Sequence, residues 1–321
     1  MEVKTASGTT IPLLAEEYTE VRPLGRGSYG STSLMRTRDG SLVVRKRIDL
    51  SVLTDLEKRL CLNEIQIASK MYHPHIVTYL GSYVDRNYLC IITEYCRGGD
   101  LHQYIAHRRR INKPIKEQRI LIWLTQILSA LDFLHSNHTL HRDLKSLNIL
   151  IDSDKNIKLC DFGVSKSLTN TGDNTNTIIG TPYYFSPELI NGNKYSWPSD
   201  IWALGCLIHE LATFRTPFDG ANGIQHLCKL INYHPVPDLP DTYSRELNML
   251  YKSMMFHDLR FRLTAAELLS TDLIQRMIKS SENNPIADVQ EGVYSTLLGA
   301  DAHDLECYSN AGCENETNVA N

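Results

Sequence analysis

Two short polar runs carry residue types suited to chemistry on phosphate: His141-Arg142-Asp143-Leu144-Lys145-Ser146-Leu147-Asn148 and, soon after, Asp161-Phe162-Gly163. Apolar residues wall them in, with Leu131, Phe133, Leu134 and Leu140 before the first and Ile149, Leu150, Ile151, Ile157 and Leu159 between the two. Charged groups among core-forming strands cost free energy unless a partner or ligand takes them up. Two carboxylates, a lysine and an amide within about twenty positions suit phosphoryl transfer, in which a hydroxyl is oriented and hard oxygen donors hold Mg2+ against phosphate oxygens.

Other elements must position these groups. Strands read from Tyr18 to Leu24 and from Ser31 to Arg38 flank Gly25-Arg26-Gly27-Ser28-Tyr29-Gly30. Glycines at that spacing serve plain turns, or a hairpin whose amides approach phosphates with no Cβ in the way. In the next strand, Leu42 to Ile48, alternation puts Leu42, Val44, Lys46 and Ile48 on one face and Val43, Arg45 and Arg47 on the other. An ammonium on the apolar face needs an anion. A helix from Asp55 to Lys70 offers one, because Glu64 falls on the stripe of Leu56, Leu60, Ile67 and Met71. His73-Pro74-His75 then breaks the helix, and a turn is favoured over a metal site because no third ligand stands nearby. Strands follow from Ile76 to Tyr83 and from Tyr88 to Glu94, and Gly98-Gly99 loosens the chain after them.

From there the periodicity is helical. Ile120, Leu124, Ile127, Leu131 and Leu134, at steps of four and three, predict a long helix from Pro114 to Ser136. Ser199 to Cys206 opens another, with Asp200 at its start as a cap, and more are expected near 221–232, 243–256 and 264–278. Strands first and helices later indicate an α+β chain.

With 321 residues, 42% of them apolar, the chain can fill ordinary cores. Its net charge of −4 hides an asymmetry: eight acids and no Lys or Arg follow Lys279, leaving 33 bases against 29 acids before that point. A mildly basic body gives no case for nucleic acid or membrane-surface binding. Residues 279–321 are polar, acidic and without period, so a disordered tail is expected. Eight cysteines form no C-x-x-C pair, and six lie in apolar runs, as reduced thiols of an intracellular protein would. No leader-like or membrane-spanning apolar stretch is present, so cytoplasmic residence is expected and the two Asn-x-Thr sequons read as unmodified.

In H-R-D-L-K-x-x-N and D-F-G the sequence resembles the protein kinases. That resemblance implies a two-lobed fold: an extension at 1–17, then a kinase domain at 18–278 made of a β-rich small lobe with one regulatory helix (about 18–94), a hinge (about 95–99) and a mainly helical large lobe (about 100–278). ATP and Mg2+ are the cofactors it implies. Asp143 would orient the acceptor hydroxyl and take its proton. Lys145 would contact the γ-phosphate, Lys46 would hold the α- and β-phosphates with Glu64 orienting it, and Asn148 and Asp161 would hold Mg2+. The nucleotide would meet Leu24, Gly25, Arg26, Gly27, Ser28, Tyr29, Gly30, Ser31, Thr32, Val44 and Thr93, the Glu94 carbonyl, the Cys96 amide, and Asp100 near the ribose. Thr32 and Val44 replace a usual valine and alanine, which would alter the adenine pocket. By the same resemblance Asp200 tethers the catalytic loop, and Arg262 pairs with Glu188 of Ser186-Pro187-Glu188.

Lys145 and Thr181 resemble serine/threonine rather than tyrosine kinases, and Leu147 argues against a strong preference for basic substrates. The stretch from Val164 to Thr177 looks like an activation loop. Thr175, Thr177 and Thr181 are its regulatory candidates, with Arg142 to capture a phosphate on Thr177 placed by an upstream kinase or by the chain itself. Together with Glu94-Tyr95-Cys96-x-Gly98-Gly99-Asp100-Leu101 and Gly180-Thr181-Pro182-Tyr183-Tyr184, the motifs are most similar to the NIMA-related (NEK) kinases. This likeness implies protein substrates with Ser or Thr acceptors and association with cytoskeleton, centrosome or cilium. It leaves oligomeric state open. A nucleotide-binding pseudokinase acting as a scaffold is the rival, and loss of Lys46, Asp143 or Asp161 would have favoured it. A metabolic phosphotransferase fits the Ser186-Pro187-Glu188 segment poorly.

Overall fold

β-Branched and aromatic residues build the first third of the chain into an antiparallel sheet of β3 (Tyr18–Gly27), β4 (Gly30–Thr37), β5 (Leu42–Asp49), β6 (Tyr79–Asp85) and β7 (Tyr88–Glu94), in the order β3-β4-β5-β7-β6. A small hairpin of β1 (Glu2–Lys4) and β2 (Thr10–Pro12) precedes it. The structure, a computed structural model, describes residues 2–4, 10–12, 18–27, 30–161 and 182–283. The chain divides into two units, Met1–Met277 and Ile278–Asn321. The acidic tail expected from 279 lies outside the described residues beyond 283.

The two faces of the sheet bury different sets. Val43 joins Tyr18, Met35, Leu80 and Ile92 on one side. Ile48 joins Leu53, Cys61, Ile65, Leu89 and Ile91 on the other, where α1 (Asp55–Ala68) packs. Here the leucine spacing misleads. Leu56 and Ile67 are exposed, and Cys61 and Ile65, four residues apart, form the buried face. A free cysteine is as readily buried as an aliphatic residue, and counting it as such would have rotated the predicted stripe. Thr54 starts this helix with a capping box, its backbone N–H donating to Glu57 Oε2 at 2.7 Å while the Glu57 N–H donates to Thr54 Oγ1 at 3.3 Å.

From Leu101 to Asn283 the described chain is mainly helical: α2 (Leu101–Arg110), α3 (Glu117–Ser136), α4 (Pro187–Ile190), α5 (Trp197–Thr213), α6 (Ile224–Tyr233), α7 (Arg245–Met254), α8 (Ala265–Leu269) and α9 (Asp272–Asn283), with a ribbon of β8 (Ile149–Ile151) and β9 (Ile157–Leu159). The five periodic residues of α3 are fully buried, as are Ile208 and Leu211 of α5. The expected helix at 264–278 breaks into α8 and α9. Ser196, with Ser199 in its capping box, caps α5, so Asp200 lies inside the first turn rather than at the cap.

Sheet and helices meet through the ribbon. Val77 N–H donates to Leu159 O and Leu159 N–H to His75 O, both at 2.9 Å. Residues 76–78, expected to be strand, are instead held to β9 through this bridge. Gly98 N–H donates to Ile151 O and Ile151 N–H to Gly99 O, again at 2.9 Å. A Cβ at Gly98 would lie 2.7 Å from Ile151 O, so only glycine lets the connecting segment press so closely on β8. No helix among the described residues is long and apolar enough to cross a membrane.

Candidate active site

The loop between α3 and β8 is held from below by one buried carboxylate. Asp200, fully buried, accepts from His141 N–H (3.0 Å), Arg142 N–H (3.1 Å), Tyr195 O–H (2.6 Å) and His135 Nε2–H (2.9 Å). Burial alone would push its pKa up, but the bond from His135, the nearby His141 and the bond from Tyr195 hold it below the usual carboxylate value. The expected tether to the loop backbone is present. His135 and Tyr195 were not foreseen, since neither is marked by a periodicity or a motif. The tether also fixes Arg142 in a left-handed conformation, φ 67°.

Asp143 stands just beyond. Its Oδ2 accepts from Asn148 Nδ2 at 2.8 Å and from Lys145 Nζ at 3.0 Å, and its carbonyl accepts from the same Asn148 amide at 2.8 Å. Asn148 thereby spends its NH2 group inside the loop, and its Oδ1 has no hydrogen-bond partner among the described residues. The ribbon brings Asp161 alongside, because Cys160 N–H donates to Asn148 O at 3.0 Å. Asp161 takes φ 56° and receives Lys46 Nζ on Oδ1 at 2.7 Å, while its Oδ2 has no partner among the described residues. Two open oxygens, one amide and one carboxylate, suit a hard divalent cation that completes its shell with phosphate and water. No group of three or more His, Cys, Asp or Glu is placed to hold a metal among the described residues. His73 has both nitrogens engaged, with Ser129 Oγ and the His75 N–H, so the turn reading accounts for that pair.

The sheet brings the predicted nucleotide residues onto neighbouring strands. Gly25 lies opposite Thr32, Thr32 opposite Lys46, and Val44 opposite Thr93; Arg26 faces Ser31, and Gly27 faces Gly30. Leu24 and Arg26 are exposed. A Cβ on Gly25 would meet nothing within 4 Å, whereas one on Gly30 would strike Arg47 O, so Gly30 is a packing glycine. After β7, the Glu94 carboxylate Oε1 accepts from Thr78 N–H (2.7 Å), Thr78 O–H (2.7 Å) and Lys158 Nζ (2.8 Å), a brace between sheet and ribbon that was not foreseen. Lys158 alternates with buried Ile157 and Leu159, and that pattern could have marked it as facing outward from the core. The Cys96 side chain is buried and its thiol pushed up to about 12 by burial. Asp100 caps α2, accepting from Gln103 N–H at 2.8 Å.

Ser28, Tyr29, Phe162, Gly163, Thr175, Thr177, Thr181 and the Glu64 side chain lie outside the described residues, and with them the expected pairing of Lys46 with Glu64; the bond from Lys46 to Asp161, a residue expected only as a metal ligand, was not foreseen. Farther off, Arg262 grips Glu188 with two bonds, Nη1 to Oε1 at 2.8 Å and Nη2 to Oε2 at 3.1 Å, as the motif implied.

A family model described as protein kinase domain matches residues 18–274. Serine/threonine-protein kinase Nek9 of Mus musculus is 38% identical over 267 residues, covering 83% of this chain and 27% of that protein. Serine/threonine-protein kinase Nek6 of Oryza sativa subsp. japonica is 38% identical, covering 83% and 49%. Probable serine/threonine-protein kinase nek2 of Dictyostelium discoideum is 39% identical, covering 84% and 65%. The chain thus spans between about a quarter and two thirds of the length of these relatives, whose names meet the expected NIMA-related likeness.

Proposed function

The chain belongs to the protein kinase family, and from that premise we propose that it is an ATP- and Mg2+-dependent protein serine/threonine kinase whose catalytic domain is residues 18–278. The observation that carries the reading is the shared site of Asp143, held by Asn148 and Lys145, and Asp161, held by Lys46, all within 3.0 Å. The names of the relatives support the same activity.

ATP with Mg2+ supplies the phosphoryl group and neutralises its charge. Asp143 orients the acceptor hydroxyl and takes its proton, with Asn148 and Lys145 fixing the carboxylate in one rotamer. Asn148 Oδ1 and Asp161 Oδ2 are the oxygens that would hold the metal. Lys46 serves the α- and β-phosphates with Glu64 behind it, and Lys145 offsets charge on the γ-phosphate. Leu24 to Thr32, Val44, Thr93, Glu94, Cys96 and Asp100 hold the nucleotide. Serine or threonine acceptors fit Lys145 and Thr181. Phosphate on Thr177, from an upstream kinase or the chain itself, pairs with Arg142 and orders the segment that also carries Thr175 and Thr181. A cytoplasmic setting belongs to the same reading.

Incubating the full chain with Mg2+ and ATP beside Asp161→Ala, and mapping phosphate by mass spectrometry, tests the proposal. Phosphate on Ser or Thr, on the chain or an added protein, only with the unmutated chain is the expected result. Equal labelling of both proteins, or none on any substrate after Thr177 has been phosphorylated, overturns it.

A further inference from the structure

Glu94 closes β7, and its carboxylate gathers donors from two other segments on a single oxygen. Oε1 accepts from Thr78 N–H and Thr78 O–H, both at 2.7 Å, and from Lys158 Nζ at 2.8 Å. The Glu94 N–H donates to Thr78 O at 3.1 Å, so backbone and side chain grip the same residue. Lys158 enters from β9, whose other two residues, Ile157 and Leu159, are fully buried. Its side chain is 14% exposed, and Glu94 is the acid it pairs with among the described residues. Holding a long lysine side chain in one conformation costs entropy that a solvated lysine on the face of a ribbon would keep.

These bonds complete a ring. Thr78 follows Val77, whose N–H donates to Leu159 O at 2.9 Å; Leu159 follows Lys158, and Lys158 returns through the Glu94 carboxylate to Thr78. The ring joins the end of β7 to the strand that leads into Asp161, three residues after Lys158. The loop before Asp143 is held separately, through Asp200. Each end of the joined stretch has its own chemistry. The Glu94 carbonyl and the Cys96 amide, two residues apart, offer an acceptor and a donor to the edge of a purine. Asp161 and Lys46, 2.7 Å apart, suit a metal and phosphate oxygens. A bound nucleotide must meet both ends at once, so the spacing between them decides how well it is held.

We propose that Lys158 is a positioning residue for the nucleotide: through Glu94 and Thr78 it fixes the hinge end of the site against Asp161. The inference rests on the kinase reading and deepens it. Removing the ammonium leaves the Glu94 carboxylate, 28% exposed, with Thr78 alone and lets β9 shift relative to β7. Adenosine, which carries no phosphate, reaches the hinge end only and is indifferent to that shift. MgADP spans both ends and feels it.

The test uses the full chain with Lys158→Met, Lys158→Arg and Thr78→Val. Kd values for adenosine and for MgADP are measured by isothermal titration calorimetry, and KM for ATP and for a threonine peptide by steady-state kinetics. Lys158→Met is expected to weaken MgADP about tenfold and to raise KM for ATP alike, while adenosine binding and the peptide KM stay as they were. Thr78→Val keeps the bond from the residue 78 N–H and moves MgADP the same way by less. Lys158→Arg keeps a donor for Glu94 and restores most of the affinity. If thermal unfolding shows that Lys158→Met does not fold, Thr78→Val must still separate MgADP from adenosine. Unchanged MgADP affinity in the folded variants, or an equal loss for adenosine and MgADP, overturns the proposal. A chain that binds MgADP but phosphorylates nothing sinks the kinase reading alone, and one that binds no nucleotide sinks both.

Discussion

Two of the ion pairs that join distant parts of this chain differ in almost every respect. Arg262 and Glu188 are 0% and 6% exposed, and four of the arginine's five N–H donors are used, two on Glu188, one on Phe256 O at 2.9 Å and one on Pro198 O at 2.9 Å. Ser199 O–H adds a further bond to Glu188 Oε1 at 2.7 Å. Lys46 and Asp161 meet at 2.7 Å with 28% and 47% exposure, and Asp161 keeps an oxygen open. A closed pair serves folding, because each group would be costly if left alone. An open pair contributes little to stability and stays free to exchange its partner for a ligand.

The comparison is broken most readily at the open pair. Asp161→Ala is expected to lower phosphoryl transfer on the order of 10³-fold, while thermal unfolding shifts by no more than a few degrees; a large fall in unfolding temperature would show that the cleft pair is structural after all. Arg262→Ala should do the reverse, costing about 3–5 kcal/mol in urea unfolding because it leaves the Glu188 carboxylate buried without its partner. The protein that remains folded should keep its turnover. Asp200→Asn belongs between the two. Its NH2 group points a donor at N–H groups that need acceptors, so a stability loss of about 1–3 kcal/mol should accompany a lower kcat. Thr54→Ala removes only the cap of α1 and should cost about 1 kcal/mol.

The architecture was legible where local chemistry and periodicity agree. Strand alternation at 42–48 and the steps of α3 needed no tertiary information, and the motifs marked Asp143, Asn148 and Asp161 because their residue types are out of place among apolar strands. What stayed hidden depends on distant packing. The face buried by α1 is set by Ile48, Leu89 and Ile91 of the sheet, so leucine spacing alone chose the wrong stripe. The break between α8 and α9 at Ser270-Thr271 is a local hydrogen-bonding choice, with both hydroxyls bonding carbonyls of the preceding turn. His135 and Tyr195 converge on Asp200 from opposite sides of the catalytic loop in sequence, a meeting no local pattern announces. Glu94 was placed correctly at the end of β7, but its side chain reaches Lys158 on a strand 64 positions away.

The smallest expected effect is on the pH axis, and it separates the two regions again. His73 and His75 lie where the chain crosses from α1 to β6, and burial pulls both below the usual imidazole value of 6.5, with Lys158 also opposing protonation. His75 O accepts from Leu159 N–H, two residues before Asp161, and His75 Nδ1 lies 3.1 Å from Ile157 O. A histidine that resists protonation when folded binds its proton more readily when unfolded, so stability should fall as pH drops below about 6.5. Glu188 acts in the same sense but at lower pH. Burial pushes its carboxyl up, but the bonds and charge of Arg262 and the bond from Ser199 hold it below 4.5, and its contribution should vanish only as pH falls through that lowered value. The junction that supports the open pair should therefore weaken first on acidification, and the helical core later. His75→Asn keeps an amide donor for Ile157 O and removes one titration, so the loss of unfolding temperature between pH 7.5 and 5.5 should shrink in that variant while unfolding below pH 4.5 stays as it was. An unchanged loss would place the first acid transition somewhere other than the support of Asp161.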